Sequence, residues 1–329
     1  VVRQHNQLGD MICSLPLYAA LKKKFPACKI TLAAADTNYP IPFNDINPFL
    51  DRIIIFKKSS VNEILKFLKQ LRQDEYSFGI VPSTVKISRT SHLINFLSGA
   101  KIRVGVKSID NEKNSSGFLL NVKAHFDWNR NKVHQNFRNL DVVKQIGCNL
   151  NEDEIKKLNF NMNDEDNNFA DNFVNKNFSD QKKLIIGIHP GAGKIKNVWN
   201  TEKFISLISQ LNKKYNPYFI ITAGWTDNKV IFELNLKLSS SGIKIFLVEN
   251  YPVKKLAAIL ERTNLYITND TGSMHIAGLT KVKQISLFGP TNSFEWAPQR
   301  ENKFSIQSES GNINDITVDE VFNLCETLI

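Results

Sequence analysis

An α/β protein with two doubly wound parallel-sheet domains is what this sequence of 329 residues predicts. The length exceeds what one core usually fills, roughly 250–300 residues, and suits two packed domains. Short β-branched runs alternate with amphipathic stretches, the pattern of parallel strands joined by right-handed helical crossovers. A polar stretch rich in Asn and Asp separates two such series. With 42% hydrophobic residues, 15 Gly and 11 Pro, the composition excludes disordered, collagen-like and disulfide-miniature classes.

The chain opens on Val1-Val2-Arg3, read as the end of a strand whose beginning is missing. Residues 11–25 place Ile12, Leu15, Leu17, Ala20 and Leu21 at mostly helical spacing, and 29–35 read as a strand. Further strands are expected at 52–56, 78–81 and 101–106. A helix is expected at 61–71, and another at 133–146 is ended by Gly147, a residue favoured just past helix C-termini. This gives an N-terminal domain over 1–160, a linker over 161–182 with one short helix near 169–173, and a C-terminal domain over 183–329. In the last, strands are expected at 184–189, 218–222, 244–248, 265–269 and 284–288. Helices are expected at 202–211, 229–238, 253–260 and 273–279, and a last one at 318–328 could pack on either domain. Sheets of this kind bind ligands outside the carboxyl ends of their strands, so a cleft between the domains is expected and strand-end loops become the candidates for function.

Forty-two Lys and Arg against 32 Asp and Glu leave a formal charge of +10, which favours anionic partners: nucleotides, phosphorylated glycans, nucleic acid or an acidic membrane face. No basic stripe interleaved with aromatics marks a nucleic-acid groove, so nucleic acid is not an expected partner. Cys13, Cys28, Cys148 and Cys325 lack CxxC spacing, and a reducing cytoplasm fits them. No apolar run reaches the roughly 18 residues of a membrane span, and no leader pattern is visible. The expected location is cytoplasmic, with peripheral contact to an anionic inner membrane allowed. Asp164-Glu165-Asp166 matches an Asp-x-Asp metal pattern but falls in the polar linker and reads as a solvated acidic run. The six histidines stand apart, and no metal is expected.

Three loops could carry chemistry. In Asn6-Gln7-Leu8-Gly9-Asp10, Gly9 permits a tight turn that sets Asp10 at a helix start, either as an N-cap or as a carboxylate able to take a proton from a hydroxyl. An ordinary Asp is ionised at neutral pH, so such a base needs no large shift. In His189-Pro190-Gly191-Ala192-Gly193-Lys194-Ile195-Lys196-Asn197, small residues let the backbone approach a ligand, and two lysines suit a phosphate. It is neither GxxxxGK[ST] nor GxGxxG, and a flexible turn with solvated lysines is the bland alternative. Thr268-Asn269-Asp270-Thr271-Gly272-Ser273-Met274-His275 leaves a strand and enters a helix, where unpaired N–H groups and two hydroxyls would make an anion site. Asp270 there would meet a sugar hydroxyl or order the turn, because like charges repel. His275 reads either as a packed helical histidine or as a phosphate contact.

Together these loops resemble glycosyltransferase family 9, the lipopolysaccharide heptosyltransferases and their relatives. The resemblance rests on Gln7-Leu8-Gly9-Asp10-Met11 with Leu15-Pro16-Leu17, and on His189-Pro190-Gly191-Ala192-Gly193 with Trp199. It extends through Asn269-Asp270-Thr271-Gly272-Ser273-Met274-His275-Ile276-Ala277 to Phe288-Gly289-Pro290-Thr291, in the family's order. It implies a GT-B architecture of two Rossmann-like domains facing a central cleft, the acceptor on the first and a nucleotide sugar, typically ADP-heptose, on the second. It also implies inversion without a metal or other cofactor, and a lipid-linked glycan acceptor. By matching motif, Asp10 takes the place of the family's proposed base. Gly191, Ala192, Gly193, Lys194, Asp270, Thr271, Gly272, Ser273 and His275 fall in its donor-binding turns, and Tyr251 falls near the position bordering the adenine. One departure stands out: Asn197 occupies the place of a family lysine two residues before Trp199, with Lys196 one residue earlier as its catalytic substitute. The departure opens two alternatives, a catalytically impaired sugar-nucleotide-binding protein or a family enzyme using another nucleotide sugar. Acceptor specificity is expected in loops 37–50 and 108–118.

Overall fold

Apolar runs become strands and amphipathic runs become helices in two units, Val1–Leu158 and Asn159–Ile329. The computed structural model describes residues 1–3, 7–36, 43–180, 182–224 and 227–329. Asn6 of the first loop, and 37–42 of the expected acceptor loop, lie outside the described residues.

In the first unit the strands are β1 (Val2–Arg3), β2 (Thr31–Ala35), β3 (Arg52–Phe56), β4 (Phe78–Ile80), β5 (Ile102–Ile109), β6 (Glu112–Lys113) and β7 (Val122–Phe126). Its helices are α1 (Leu8–Cys13), α2 (Leu15–Lys24), α3 (Phe43–Ile46), α4 (Val61–Leu71), α5 (Arg89–Leu97), α6 (Asn129–Lys132), α7 (Gln135–Lys144) and α8 (Glu152–Lys156). The strands run in the order β3-β2-β1-β4-β5-β6, with β7 also on β5. All described pairs are parallel except β5 with β6. Leu17, Leu21, Val104, Leu140 and Val143 pack in one apolar cluster, and Ala33, Ile54, Phe67, Leu71 and Ile94 in another. The helix expected over 11–25 is two helices, because Ser14 lies between them and its hydroxyl donates to the Met11 carbonyl at 2.8 Å.

The second unit contains β8 (Ile185–His189), β9 (Tyr218–Ala223), β10 (Ile245–Glu249), β11 (Leu265–Asn269), β12 (Lys283–Phe288) and β13 (Lys303–Gln307). Its helices are α9 (Asp164–Asn177), α10 (Thr201–Tyr215), α11 (Asn228–Ser240), α12 (Val253–Leu260), α13 (Gly272–Gly278), α14 (Ser293–Trp296) and α15 (Val318–Leu328). The sheet order is β10-β9-β8-β11-β12-β13, every pair parallel. Strands buried on both faces are mostly apolar, which is why Ile185–His189 and Leu265–Asn269, polar only toward their carboxyl ends, read so clearly as strands. The core joins Ile186, Ile188, Phe204, Leu207, Leu234 and Ile267 to Val321 and Cys325 of the last helix. Trp199, fully buried, donates its indole N–H to the Ile316 carbonyl at 3.0 Å. Truncating such a residue to Ala costs about 3–5 kcal/mol.

The polar stretch expected as a linker with one short helix is instead largely α9, which packs on α12 and places Ala170 in a cluster with Ile220 and Ala258. The Asp164-Glu165-Asp166 run is its first turn, with Asp164 and Glu165 exposed to solvent as expected and Asp166 turned in. Asp166 is buried and accepts the Asn163 N–H at 3.1 Å, while the Asn163 side chain accepts the Asp166 N–H at 2.9 Å. This reciprocal cap, with three carboxylates at the positive end of a helix, explains the acidic cluster without a metal.

Candidate functional site

Strand order fixes where ligands can bind. In the second unit β8 lies between β9 and β11, so the chain runs to one side after β8 and returns to its other side at β11. The loops leaving these two strands diverge at their carboxyl ends and open the crevice that such sheets use for ligands. Those loops are the Gly-rich segment after His189 and the Asp270-Thr271 turn after Asn269, so sheet topology brings together two of the loops singled out by sequence.

Asn269 ties them. Its amide donates to the carbonyls of Pro190 at 2.9 Å and Gly191 at 3.2 Å, and its oxygen accepts the Trp199 N–H at 3.2 Å. The asparagine is fully buried, so its three bonds fix the Gly-rich loop to the end of β11. Gly191 is required where it stands: a Cβ there would lie 2.1 Å from an Asp227 carboxylate oxygen. Asp227 in turn accepts the Gly224 N–H at 2.8 Å and faces His189 Nε2 at 3.8 Å. Beyond Gly191 the loop turns outward. Gly193, Lys194 and Lys196 are exposed, whereas Asn197, in the turn Ile195–Asn197, is buried again.

Asn197 holds the place where the resemblance expects a lysine. Its amide donates to Asp270 Oδ2 at 2.8 Å, while its own oxygen, buried, has no hydrogen-bond partner among the described residues. Burial pushes the Asp270 carboxyl above the ordinary range, against the opposing pull of the Thr291 hydrogen bond and the Lys194 charge. Thr271 precedes α13 without capping it through its side chain, and Ser273 and His275 are buried in that helix, the His275 ring 6.3 Å from Trp296. Tyr251 follows β10, two strands from β8 at the same sheet edge, partly exposed and edge-on to Phe169 at 5.6 Å.

Behind the loops runs a buried polar chain that sequence reading missed. His189 Nδ1 lies 2.9 Å from the Thr222 carbonyl and 3.1 Å from its hydroxyl, and that hydroxyl is 2.8 Å from the Tyr266 hydroxyl. The bond to the carbonyl assigns the proton to Nδ1, and burial lowers the ring's affinity for a second one despite Asp227. Burial also pushes Tyr266 up to about 12. Gly187 makes room for this tyrosine, since a Cβ there would meet its ring at 2.7 Å. The available signal was a polar residue ending each of three apolar strand runs, at His189, Thr222 and Asn269.

In the first unit the same logic marks β1, between β2 and β4. In α1, the next described element, Asp10 is the third residue rather than the N-cap. Gln7 flanks the helix start, because the chain already turns helical at Leu8 and carries Gly9 and Asp10 inside the first turn. Asp10 is half-buried at the positive end of this short helix. Lys196 and the loops after β8 and β11 belong to the second unit and Asp10 to the first. Among the described residues, no three His, Cys, Asp or Glu side chains are grouped as metal ligands, and no helix is long and apolar enough to cross a membrane.

Known proteins extend these observations. The family model described as "Glycosyltransferase family 9 (heptosyltransferase)" matches residues 64–323. The chain is 32% identical over 124 residues to lipooligosaccharide heptosyltransferase 2 of Campylobacter jejuni, a stretch covering 36% of this chain and only 38% of that relative. It is 24% identical to lipopolysaccharide heptosyltransferase 3 of Escherichia coli K12, over 92% of this chain and 86% of that protein. Among solved structures it resembles the E. coli ADP-heptose lipopolysaccharide heptosyltransferase II, with TM-score 0.77 and 18% identity over 99% of this chain and 97% of the other. That likeness shows the GT-B fold, two Rossmann-like units in one chain.

Proposed function

The chain belongs to glycosyltransferase family 9, and on that premise we propose that it is an inverting, metal-independent enzyme moving heptose from ADP-heptose onto a lipopolysaccharide core or related lipid-linked surface glycan. The reading places this reaction in the cytoplasm. One observation carries it most: Asn269 joins the Gly-rich loop and the Asp270-Thr271 turn at the switch point of a parallel sheet. That is where a nucleotide diphosphate belongs in such a fold.

In this reading the acceptor hydroxyl attacks the anomeric carbon from the face opposite the departing nucleotide. Asp10 takes the proton, a role that typically contributes about 10²–10⁴ in rate. Negative charge grows on the β-phosphate as the bond breaks. The Thr271 hydroxyl, the Gly272 and Ser273 N–H groups, His275 and Lys196 stabilise it, each such contact being worth up to about 10²–10³ in rate. Gly191, Ala192, Gly193 and Lys194 line the diphosphate, Asp270 orders the turn or meets a sugar hydroxyl, and Tyr251 borders the adenine.

A second reading, a family enzyme for another nucleotide sugar, is favoured by Asn197, which offers Asp270 a neutral amide where a lysine is expected. A panel of ADP-, GDP-, UDP- and dTDP-sugars separates them by calorimetric binding and by mass spectrometry of transfer. ADP-heptose should bind and turn over. Binding of another nucleotide sugar in its place moves the assignment to the second reading, and no binding by any member of the panel removes the enzyme reading altogether.

A further inference from the structure

The formal charge of +10 is not shared between the units. Residues 1–158 contain 24 Lys and Arg against 14 Asp and Glu, and residues 159–329 contain 18 of each. Within the first unit the asymmetry sharpens: residues 76–109 hold five basic side chains and no acidic one. This stretch includes α5, and the helix buries an unusual face. Ser91, His92 and Asn95 point inward, His92 Nδ1 meeting Ser116 Oγ at 2.8 Å and Asn95 donating to the Gly79 carbonyl at 3.2 Å.

With polar groups turned in, apolar ones are left out. Leu93 and Phe96 are 48% and 47% exposed, and Phe118, on the turn Gly117–Leu119 that packs against α5, is 79% exposed. Basic groups are bonded into the same surface. Arg103 lies 5.4 Å from the Phe96 ring centroid and donates to the Leu119 carbonyl at 2.7 Å. Arg89 donates to Ser115 Oγ at 3.0 Å, and Lys101 is exposed just before β5. Aromatic and aliphatic side chains standing out of a basic surface are the composition that enters the headgroup region of an anionic bilayer, the rings partitioning at the interface and the cations pairing with phosphates.

We propose that the outer face of α5 and the adjoining turn, through Leu93, Phe96 and Phe118 flanked by Arg89, Lys101 and Arg103, is a docking surface for an anionic lipid bilayer. The second unit supplies a contrast. Its exposed pair Phe232 and Leu236 on α11 flanks Glu233, and the neighbouring Lys237 is already paired with Glu202. Apolar exposure is present there beside a mixture of acidic and basic side chains, with Lys229 exposed one turn before Phe232, in a unit whose Lys and Arg are balanced by Asp and Glu. The inference goes beyond glycosyl transfer and does not depend on which sugar or nucleotide is used.

The test is sedimentation of the full chain with sucrose-loaded vesicles, about three parts phosphatidylcholine to one part phosphatidylglycerol, against pure phosphatidylcholine and at rising salt. Binding should require the anionic lipid and weaken with salt as charges are screened. Lys101→Gln should lower the partition coefficient about fivefold, the worth of one basic residue near such a surface. Phe118→Ser should lower it about tenfold, while Phe232→Ser leaves it unchanged. Equal sedimentation with neutral vesicles overturns the proposal, as do equal losses from Phe118→Ser and Phe232→Ser, or retention on duplex DNA without retention on anionic vesicles. Calorimetric binding of ADP is followed in the same variants. Vesicle binding lost while ADP binding persists confirms the surface, and ADP binding absent with vesicle binding intact counts against the donor site alone.

Discussion

Both units wind a parallel sheet from a central strand outward, yet they spend their polar residues differently. The second unit, with no net charge, concentrates buried polar groups at its switch point, where His189, Thr222, Tyr266, Asn197 and Asn269 are tied to one another or to the backbone of the two loops. The first unit carries the positive charge and places its fully buried polar face, Ser91, His92 and Asn95, inside a helix layer. Net charge and the ordering of buried dipoles are thus separable: the unit without net charge orients polar groups at one switch point, and the basic unit spreads its charge along the chain.

The largest expected effect tests the division of labour. Asp10→Asn should lower the rate of transfer by about 10²–10⁴, with the calorimetric affinity for ADP within about twofold of the parent. Unimpaired turnover would deprive the first unit of its chemical role.

Next comes the packing of the second unit. Gly191→Ala forces a methyl onto the Asp227 carboxylate and should destabilise the fold by about 1–3 kcal/mol in denaturant melts, weakening nucleotide binding with it. Asp227→Ala made in the same chain should recover part of that loss, and strict additivity would show that the clash is relieved elsewhere.

The acid limb of stability sharpens the comparison from the first unit's side. Burial pushes His92 down to about 4, so the folded ring refuses a proton that the unfolded chain accepts near 6.5. The unfolded state then binds more protons between those values, and stability falls as pH drops from about 6.5 to about 4, by up to about 1.4 kcal/mol per pH unit. His92→Gln should flatten this limb in urea titrations. An equally steep limb would assign the acid sensitivity to the second unit's His189, whose proton affinity burial also lowers.

The smallest effect is expected from Thr271→Ala, which should raise the dissociation constant for ADP about three- to tenfold, the worth of one hydrogen bond to a charged group. An unchanged titration would leave the diphosphate to the Gly-rich loop.

What could be read from the sequence followed the burial of each segment. The strands Arg52–Phe56 and Leu265–Asn269 and the helices Val61–Leu71, Val253–Leu260 and Val318–Leu328 stand where the pattern put them, because continuous or one-faced apolar runs leave few alternatives. β13 was missed because an edge strand reading Lys-Phe-Ser-Ile-Gln carries little apolar signal. α5 was missed for the opposite reason, its buried face being mostly polar, and of α9 only the short helix near 169–173 was expected, because its stripe of Phe169, Ala170, Phe173 and Val174 is hidden among Asn and Asp. The loops after β8 and β11 were legible as strand ends. Their ties were not, since Asn269 reaches Pro190 and His189 reaches Thr222 only through the pairing of β8 with β11 and β9.

The place of α15 in the second unit's core bears on how the chain comes to be folded at all. The first unit ends at Leu158, whereas the core of the second includes Val321 and Cys325. Emerging from a ribosome, the first unit can therefore settle while the core of the second still lacks its last helix, so synthesis itself orders the assembly. A lesion in the final helix would then surface as an aggregation phenotype before it surfaced as a kinetic one.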